Sequence, residues 1–210
     1  MKNILFLSPH PDDIELGCGA TLARLQEEGD NIYVAIFSDC KESVPNNFDE
    51  KEILTENLNS LKILNIKQEN IFYFNYKVRT FNSKRQSILD DILKLKEKIK
   101  PDIVFVPSTN DYHQDHNVIN LEAIRAFKHC ASIYGYQLNW NLFEIKNNFI
   151  YEIKKEHLDK KILALSKYKT QKEKQYFNLD YIISLAILFG INTNSKYAES
   201  FEIIYKIEKL

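Results

Sequence analysis

The chain has 210 residues, with 28 Lys and Arg against 29 Asp and Glu, five His and 44% apolar residues. About 100–200 residues make one domain, and a domain of this size buries roughly 70% of its unfolded surface, so it needs no metal or disulfide merely to fold. The formal net charge of −1 disfavours nucleic acid and anionic membranes as partners.

The termini and cysteines predict a cytoplasmic protein. Only one run of four apolar residues, Ile4 to Leu7, precedes Ser8, which is too short for a signal peptide, and no later run approaches the ~18 apolar residues of a membrane span. Cys18, Cys40 and Cys130 lack the CxxC spacing, which argues against a thiolate zinc site and agrees with a reducing compartment. We expect all three thiols to be inert. The apolar last third is compatible with a homo-oligomer.

Apolar runs that end at turn residues alternate with helix-period segments along the chain. The predicted strands are Asn3 to Ser8, Asn31 to Phe37, Asn70 to Asn75, Asp102 to Pro107, Ser132 to Gln137, Asn148 to Lys154 and Ser200 to Ile207. The predicted helices are Leu16 to Glu28, Asp49 to Leu64, Lys84 to Lys98, Asn117 to Lys128, Leu158 to Tyr168 and Leu179 to Leu188.

This order predicts a Rossmann-like, three-layer α/β fold with a mostly parallel sheet. No Pro/Gly/Ser-rich linker interrupts the chain, so residues 1–210 are expected to form one domain that residues 148–210 complete. The Lys/Glu runs around residues 94–100 and 167–174 are interpreted as solvated helix faces.

Strand 1 leads directly into a loop that holds His10, Asp12, Asp13 and Glu15. Open α/β sheets collect ligands at this carboxyl edge. Acids so close together repel one another unless a cation or hydrogen bonds compensate, and imidazole and carboxylate are ligands that zinc accepts. The alternative is that Asp12 or Asp13 only caps the following helix while His10 packs in a turn.

Strand 4 ends in a second such loop, which contains Asp111, His113, Asp115 and His116. If strands 1 and 4 are neighbours, His10, Asp13, His113 and His116 come within reach of one metal. The other two histidines, His129 and His157, lie among Lys and Glu and are expected at the surface.

Catalytic zinc keeps three protein ligands and an open position, and spacing alone does not choose which histidine is left out. One carboxylate of the first loop and one imidazole of the second loop then remain unbound to the metal. They can serve as the base that takes a proton from metal-activated water and as the donor that stabilises the oxyanion of a tetrahedral intermediate.

Together the motifs resemble those of the PIG-L/LmbE-type zinc-dependent N-acetylglucosaminyl deacetylases. The resemblance rests on, in order, Pro9-His10-Pro11-Asp12-Asp13 with Glu15, Gly17-Cys18-Gly19-Ala20-Thr21, Phe37-Ser38-Asp39, His113-Gln114-Asp115-His116, Tyr168-Lys169-Thr170-Gln171 and Tyr197-Ala198-Glu199-Ser200-Phe201-Glu202. It covers nearly the whole chain.

The resemblance implies a zinc ion held by His10, Asp13 and His116. Because two His and one Asp do not select a metal by ligand type, Fe²⁺ or another divalent ion is the alternative cofactor. The resemblance implies that Asp12 is the general base. It also implies that His113 is the cation that stabilises the oxyanion, with Asp115 orienting it and raising its pKa. The implied reaction removes acetate from an N-acetylglucosamine-type conjugate.

The sequence departs from the family at two points. Ile14 stands where many members have Glu. The Arg that often follows strand 2 and contacts substrate is also missing, because the region around Lys51 offers only Lys; Arg79 or Arg85 could replace it. Lys51 and Arg79 are therefore candidate substrate-binding residues. Asp39, at the end of strand 2, is expected either to bind substrate hydroxyls or to cap a loop, and Tyr112 is a candidate for stacking on a sugar. Tyr134, Tyr136 and Trp140 are further candidates for stacking on a sugar.

The sequence allows two other functions. Gly17-Cys18-Gly19 with Asp39 imitates a dinucleotide-binding motif, but the glycines do not directly follow strand 1, as that motif requires; we expect them to let the first helix pack closely. A non-catalytic sugar-binding or interaction module with a structural metal is the second alternative, although such a module needs neither a base nor an oxyanion donor.

Overall fold

The computed structural model describes residues 1–208 and confirms the α/β class. Its strands are β1 (Asn3–Ser8), β2 (Asn31–Ile36), β3 (Ile71–Tyr73), β4 (Ile103–Pro107), β5 (Ser132–Tyr136), β6 (Phe149–Glu152) and β7 (Ala198–Tyr205). Its helices are α1 (Asp13–Glu27), α2 (Glu52–Ile63), α3 (Arg85–Ile99), α4 (Gln114–Phe127), α5 (Lys155–Leu165) and α6 (Leu179–Ile191).

All seven strands form one sheet in the order β3-β2-β1-β4-β5-β7-β6. Strands β1 to β5 pair in parallel, and β7 is antiparallel to both of its neighbours. The last third of the chain therefore extends the same sheet. Since β1 lies beside β4, the chain order reverses between them, which is where open α/β sheets bind ligands.

Alternate residues of β1 enter two cores on opposite sides of the sheet, as a buried parallel strand requires. Ile4 and Phe6 pack with apolar residues of α1, α2, α5 and α6, whereas Leu5 and Leu7 pack with those of α3 and α4. Two helical layers thus enclose the sheet, which confirms the three-layer prediction. Within the described residues, no helix is both long and apolar enough to cross a membrane.

Helix α1 is kinked at Cys18, where φ is −152° and ψ is 21°. A kink leaves backbone groups without helical partners. A buried ion pair supplies the missing hydrogen-bond partners. Lys161 Nζ donates to the carbonyl of Leu16 at 2.8 Å, and a Glu199 carboxylate oxygen accepts the N–H of Thr21 at 2.6 Å. Lys161 and Glu199 are themselves 2.7 Å apart. The kink stabilised in this way lies beside the candidate site.

The glycines lie in α1, not in the turn after β1, which agrees with the rejection of a dinucleotide-binding motif. A Cβ atom on Gly17 would lie 2.6 Å from Cδ2 of Tyr136, closer than real atoms approach. Tyr136 is fully buried, and its hydroxyl donates to the carbonyl of Leu7 at 3.0 Å. Gly17 therefore permits close packing of α1 on Tyr136, as the sequence predicts. Tyr136 is a core residue and is not available to stack on a sugar.

One histidine prediction is correct and one is wrong. His129 is exposed. His157 is only 2% exposed, because α5 packs on α1 and brings its Nε2 within 2.7 Å of Glu27. Residues 167–174, interpreted as a helix face, form turns after α5.

Candidate metal centre and active site

Tertiary hydrogen bonds fix the loop after β1. The N–H of Ser38 donates to the carbonyl of Pro9 at 3.0 Å, which continues the pairing of β1 with β2. The next proline carbonyl, that of Pro11, accepts from Asn57 and from the Tyr168 hydroxyl, each at 2.5 Å. The loop that carries His10 and Asp12 is thus held at two points.

Three donor atoms meet where this loop faces the start of α4. Nδ1 of His10 lies 3.2 Å from Oδ2 of Asp13 and 3.1 Å from Nε2 of His116, and Asp13 Oδ2 lies 3.3 Å from His116 Nε2. Two ligands bound to a tetrahedral zinc at about 2.0–2.2 Å lie roughly 3.3–3.6 Å apart. The three residues expected as ligands therefore have the chemistry and spacing that a divalent metal requires.

Each of the two histidines is oriented by a carboxylate on its other ring nitrogen. His116 Nδ1 lies 2.7 Å from Oδ2 of Asp111, and His10 Nε2 lies 3.2 Å from Oδ2 of Asp115. Such partners fix the tautomer and direction of metal-binding imidazoles. The role of Asp111 was not predicted, although its position in the loop that carries His113 and His116 is a signal in the sequence.

The donor group stabilises positive charge. Burial opposes the charged form of His116, but Asp13 and Asp111 outweigh burial and raise the pKa of His116 to about 10. Burial likewise opposes ionisation of Asp13, yet His116 and His10 lower its pKa far below the ordinary value. The surrounding carboxylates therefore favour a positive charge at this point, which a divalent cation would supply.

Asp12 lies at the N-cap position of α1, but its side chain accepts no helix N–H, which contradicts a capping role. Instead, its carboxylate lines a cavity of about 420 Å³ together with His10, Asp13, His113 and His116. Burial and then the negative charge of Asp13 raise the pKa of Asp12. A carboxylate with a raised pKa is a stronger base.

His113 begins α4 as its N-cap, where Nδ1 accepts the N–H of Asp115 at 3.2 Å. This bond assigns the ring proton to Nε2 in the neutral form. Burial, followed by the charges of His116 and His10, lowers the pKa of His113 to about 4. This shift favours the neutral form of His113, whereas the resemblance implies that its cation stabilises the oxyanion.

Asp115 contacts His113 through its backbone N–H, and its negative charge opposes the lowering of the His113 pKa. Its carboxylate accepts the backbone N–H groups of Arg79 at 2.5 Å and Phe81 at 3.3 Å, besides its contact with His10. Asp115 thereby connects His10 to the loop after β3. Arg79 has a positive φ of 66° in this loop, and its side chain lines the cavity.

The other three candidate substrate residues do not line this cavity. Asp39 accepts the N–H of Lys41 within its own turn, and the side chain of Lys51 is exposed before α2. Tyr112 is 55% exposed and bonds through its hydroxyl to the carbonyl of Trp140. The alternative arginine, Arg85, pairs with Glu122.

Other residues, which the sequence did not mark as substrate-binding candidates, also line the cavity. Gln171, Lys174 and Tyr176 come from the turns after α5, and Trp140, a stacking candidate, joins them. Cys40 lies on the same wall, and burial raises the pKa of its thiol well above the ordinary value, which agrees with an inert cysteine.

The structure is that of an α/β domain with a candidate metal and acid–base centre at the sheet edge where the chain order reverses, between β1 and β4. The PIG-L family, described as GlcNAc-PI de-N-acetylase, matches residues 5–127. The Escherichia coli K12 protein described as uncharacterized deacetylase YaiS is 30% identical over 174 residues, which cover 80% of this chain and 91% of that protein. The chain belongs to the PIG-L family of deacetylases.

Solved structures share the fold at lower identity. The N,N'-diacetylchitobiose deacetylase of Pyrococcus horikoshii is 21% identical with a TM-score of 0.79, covering 97% of this chain and 84% of that one. The 4-carboxy-2-hydroxymuconate hydratase of Pseudomonas putida KT2440 is 18% identical with a TM-score of 0.80, covering 100% and 99%. Because this fold also occurs in a hydratase, the reaction has to be argued from the site.

Proposed function

We propose that the protein is a metal-dependent hydrolase that removes the N-acetyl group from an N-acetylglucosamine-type sugar or conjugate. The observation that carries the proposal is that one cavity combines the donor triad of His10, Asp13 and His116 with Asp12 and His113. A structural metal site needs neither of the last two. The family's description and the deacetylases among its relatives support the same reaction.

His10, Asp13 and His116 would hold the metal. When bound, a divalent metal supplies Lewis acidity, which polarises the acetamide carbonyl and makes water more acidic. Two imidazoles and one carboxylate do not select zinc by ligand type, so we propose Zn²⁺, with Fe²⁺ or another divalent ion as the alternative.

Asp12 would take a proton from water as its oxygen attacks the acetamide carbon. The Nε2–H of His113 would donate a hydrogen bond to the carbonyl oxygen as negative charge develops there. Asp12, now protonated, would give the proton to the sugar nitrogen as the C–N bond breaks. The products are acetate and a free amino sugar.

Four variants test these roles by metal content and acetate release. Asp12→Asn and His113→Ala should retain the metal and lose turnover, whereas His10→Ala and His116→Ala should lose metal affinity. His129→Ala, at the exposed histidine, is the matched control and should change neither quantity. The ligand assignment is wrong if His113→Ala removes the metal and His116→Ala does not.

A further inference from the structure

The direction of the Asp12 side chain is set by the backbone that carries it. Within the described residues, no neighbouring side chain forms a hydrogen bond with its carboxylate, which also caps no helix N–H. The two histidines of the donor triad differ, since His10 and His116 are each held by a carboxylate on their other ring nitrogen. The aim of the Asp12 carboxylate therefore depends on the two peptide groups that flank this residue.

Both flanking peptide groups are anchored, but only one of them is held by side chains. The carbonyl of Asp12 accepts the N–H of Leu16 at 3.0 Å, an ordinary bond in the first turn of α1. The carbonyl of Pro11, which belongs to the peptide bond that leads into Asp12, accepts from Nδ2 of Asn57 and from the Tyr168 hydroxyl. Asn57 lies on α2 and is only 1% exposed. A buried amide from another helix thus fixes the peptide plane from which Asp12 projects.

The orientation of the Asn57 amide is itself determined. A carbonyl only accepts hydrogen bonds, so the atom of Asn57 that faces Pro11 is Nδ2 and the other atom of the amide is Oδ1. This Oδ1 accepts the hydroxyl of Tyr73 at 2.8 Å. Tyr73 is the last residue of β3 and does not line the catalytic cavity. A line of hydrogen bonds therefore runs from Tyr73 through Asn57 to the carbonyl of Pro11, next to Asp12.

We propose that Asn57 is a positioning residue for Asp12, and that Tyr73 holds the Asn57 amide in the orientation this requires. The inference rests on the proposed function, because it takes Asp12 as the base that removes a proton from water. Neither Asn57 nor Tyr73 lines the catalytic cavity, so both act on turnover only through Asp12. Their loss should therefore lower kcat and leave KM and the metal content unchanged.

Acetate release from N,N'-diacetylchitobiose by the metal-loaded enzyme measures the effect. Asn57→Ala removes the amide and should lower kcat about 10-fold, with KM and metal content unchanged. Tyr73→Phe removes a single hydroxyl at a half-exposed residue and should lower kcat about 3-fold, so it decides the matter if Asn57→Ala does not fold. Wild-type kcat in Tyr73→Phe would overturn the inference, as would a loss of metal in place of a loss of kcat.

Two matched controls lose a hydrogen bond that does not lead to the site. The hydroxyl of Tyr76 donates to Asp91 at 2.6 Å, and Nδ2 of Asn70 donates to the carbonyl of Ile32, at the amino end of β2, at 3.0 Å. Tyr76→Phe and Asn70→Ala should both keep the wild-type kcat. Losses of kcat in these controls equal to those in Tyr73→Phe and Asn57→Ala would overturn the inference.

Combined variants test whether the effect passes through Asn57 and Asp12. Because Tyr73 acts through Asn57, the double variant Tyr73→Phe with Asn57→Ala should be no slower than Asn57→Ala alone. In the Asp12→Asn background, Tyr73→Phe should cause no further loss of the residual turnover. Additive losses in both combinations would show that the two residues act on the protein in general, and would contradict a positioning role.

Crystal structures of the metal-loaded wild type and Asn57→Ala test the inference independently of the reaction. The Asp12 carboxylate should move by about 0.5 Å or more, while His10, Asp13 and His116 keep their places. If Asp12 moves but the wild type releases no acetate, the positioning stands and the proposed reaction is wrong. If Asp12 does not move and Asn57→Ala releases acetate at the wild-type rate, the reaction stands and the inference is wrong.

Discussion

Replacing Glu15 by Gln tests how the buried carboxyl beneath the active-site loop is protonated. Glu15 is fully buried, and its Oε1 lies 2.7 Å from both the Ser60 and the Tyr168 hydroxyls. Tyr168 has one proton but two acceptors, Glu15 and the carbonyl of Pro11. A protonated Glu15 resolves this conflict because it donates to Tyr168 and frees the tyrosine proton for Pro11.

Burial raises the pKa of Glu15 from 4.5 to about 7, although Ser60 and Tyr168 oppose the rise. The difference between these two pKa values corresponds to about 3 kcal/mol. Between pH 4.5 and 7 the folded protein keeps a proton at Glu15 that the unfolded chain has lost. The stabilisation is complete below pH 4.5 and is lost as the pH rises through 7. A glutamine does not titrate, so it avoids this loss.

Urea denaturation of the wild type and Glu15→Gln, in buffer with a chelator, measures the effect. The free energy of unfolding of the variant, relative to wild type, should rise by about 3 kcal/mol from pH 4.5 to pH 8. Glu69→Gln, at an exposed glutamate, is the control and should show no such rise. A Glu15→Gln difference that stays constant over this range would refute a protonated Glu15.

Three further substitutions test the packing and the roles at the site. Gly17→Ala should lower the free energy of unfolding by about 1–3 kcal/mol, because the new Cβ collides with Tyr136; an unchanged melting temperature would contradict this close contact. Asp111→Asn should weaken metal binding by about 10–100-fold in a metal titration, because it disturbs the orientation of His116; unaltered affinity would exclude that role. His113→Ala should slow acetate release by about 10²–10³-fold at full metal occupancy, and a smaller loss would argue against a direct oxyanion donor.

The parts of the site that follow β1 and β4 were predictable from sequence. Apolar runs marked the two strands, and parallel strands end at the same edge, so His10, Asp13 and His116 were expected together. These residues lie side by side only if β1 and β4 are neighbours in the sheet, and local sequence patterns do not reveal the order of the strands. The structure supplies that order by pairing β1 with β4.

The substrate-facing residues were less predictable because they depend on loop conformation. A short carboxylate such as Asp39 readily bonds to its own turn, and nothing in the sequence distinguishes this from a ligand contact. Trp140 and Tyr176 are 36 positions apart and become one wall only through packing of the last third of the chain on α1. His157 was misassigned for the same reason, since its partner Glu27 comes from a distant helix.

In the mechanism we propose, amide hydrolysis depends on a divalent metal held by His10, Asp13 and His116. The most direct test is acetate release from N,N'-diacetylchitobiose by protein stripped with a chelator, before and after a divalent metal is added back. We predict that activity disappears on stripping and returns with about one metal per chain. Full activity in the metal-free protein would contradict the account.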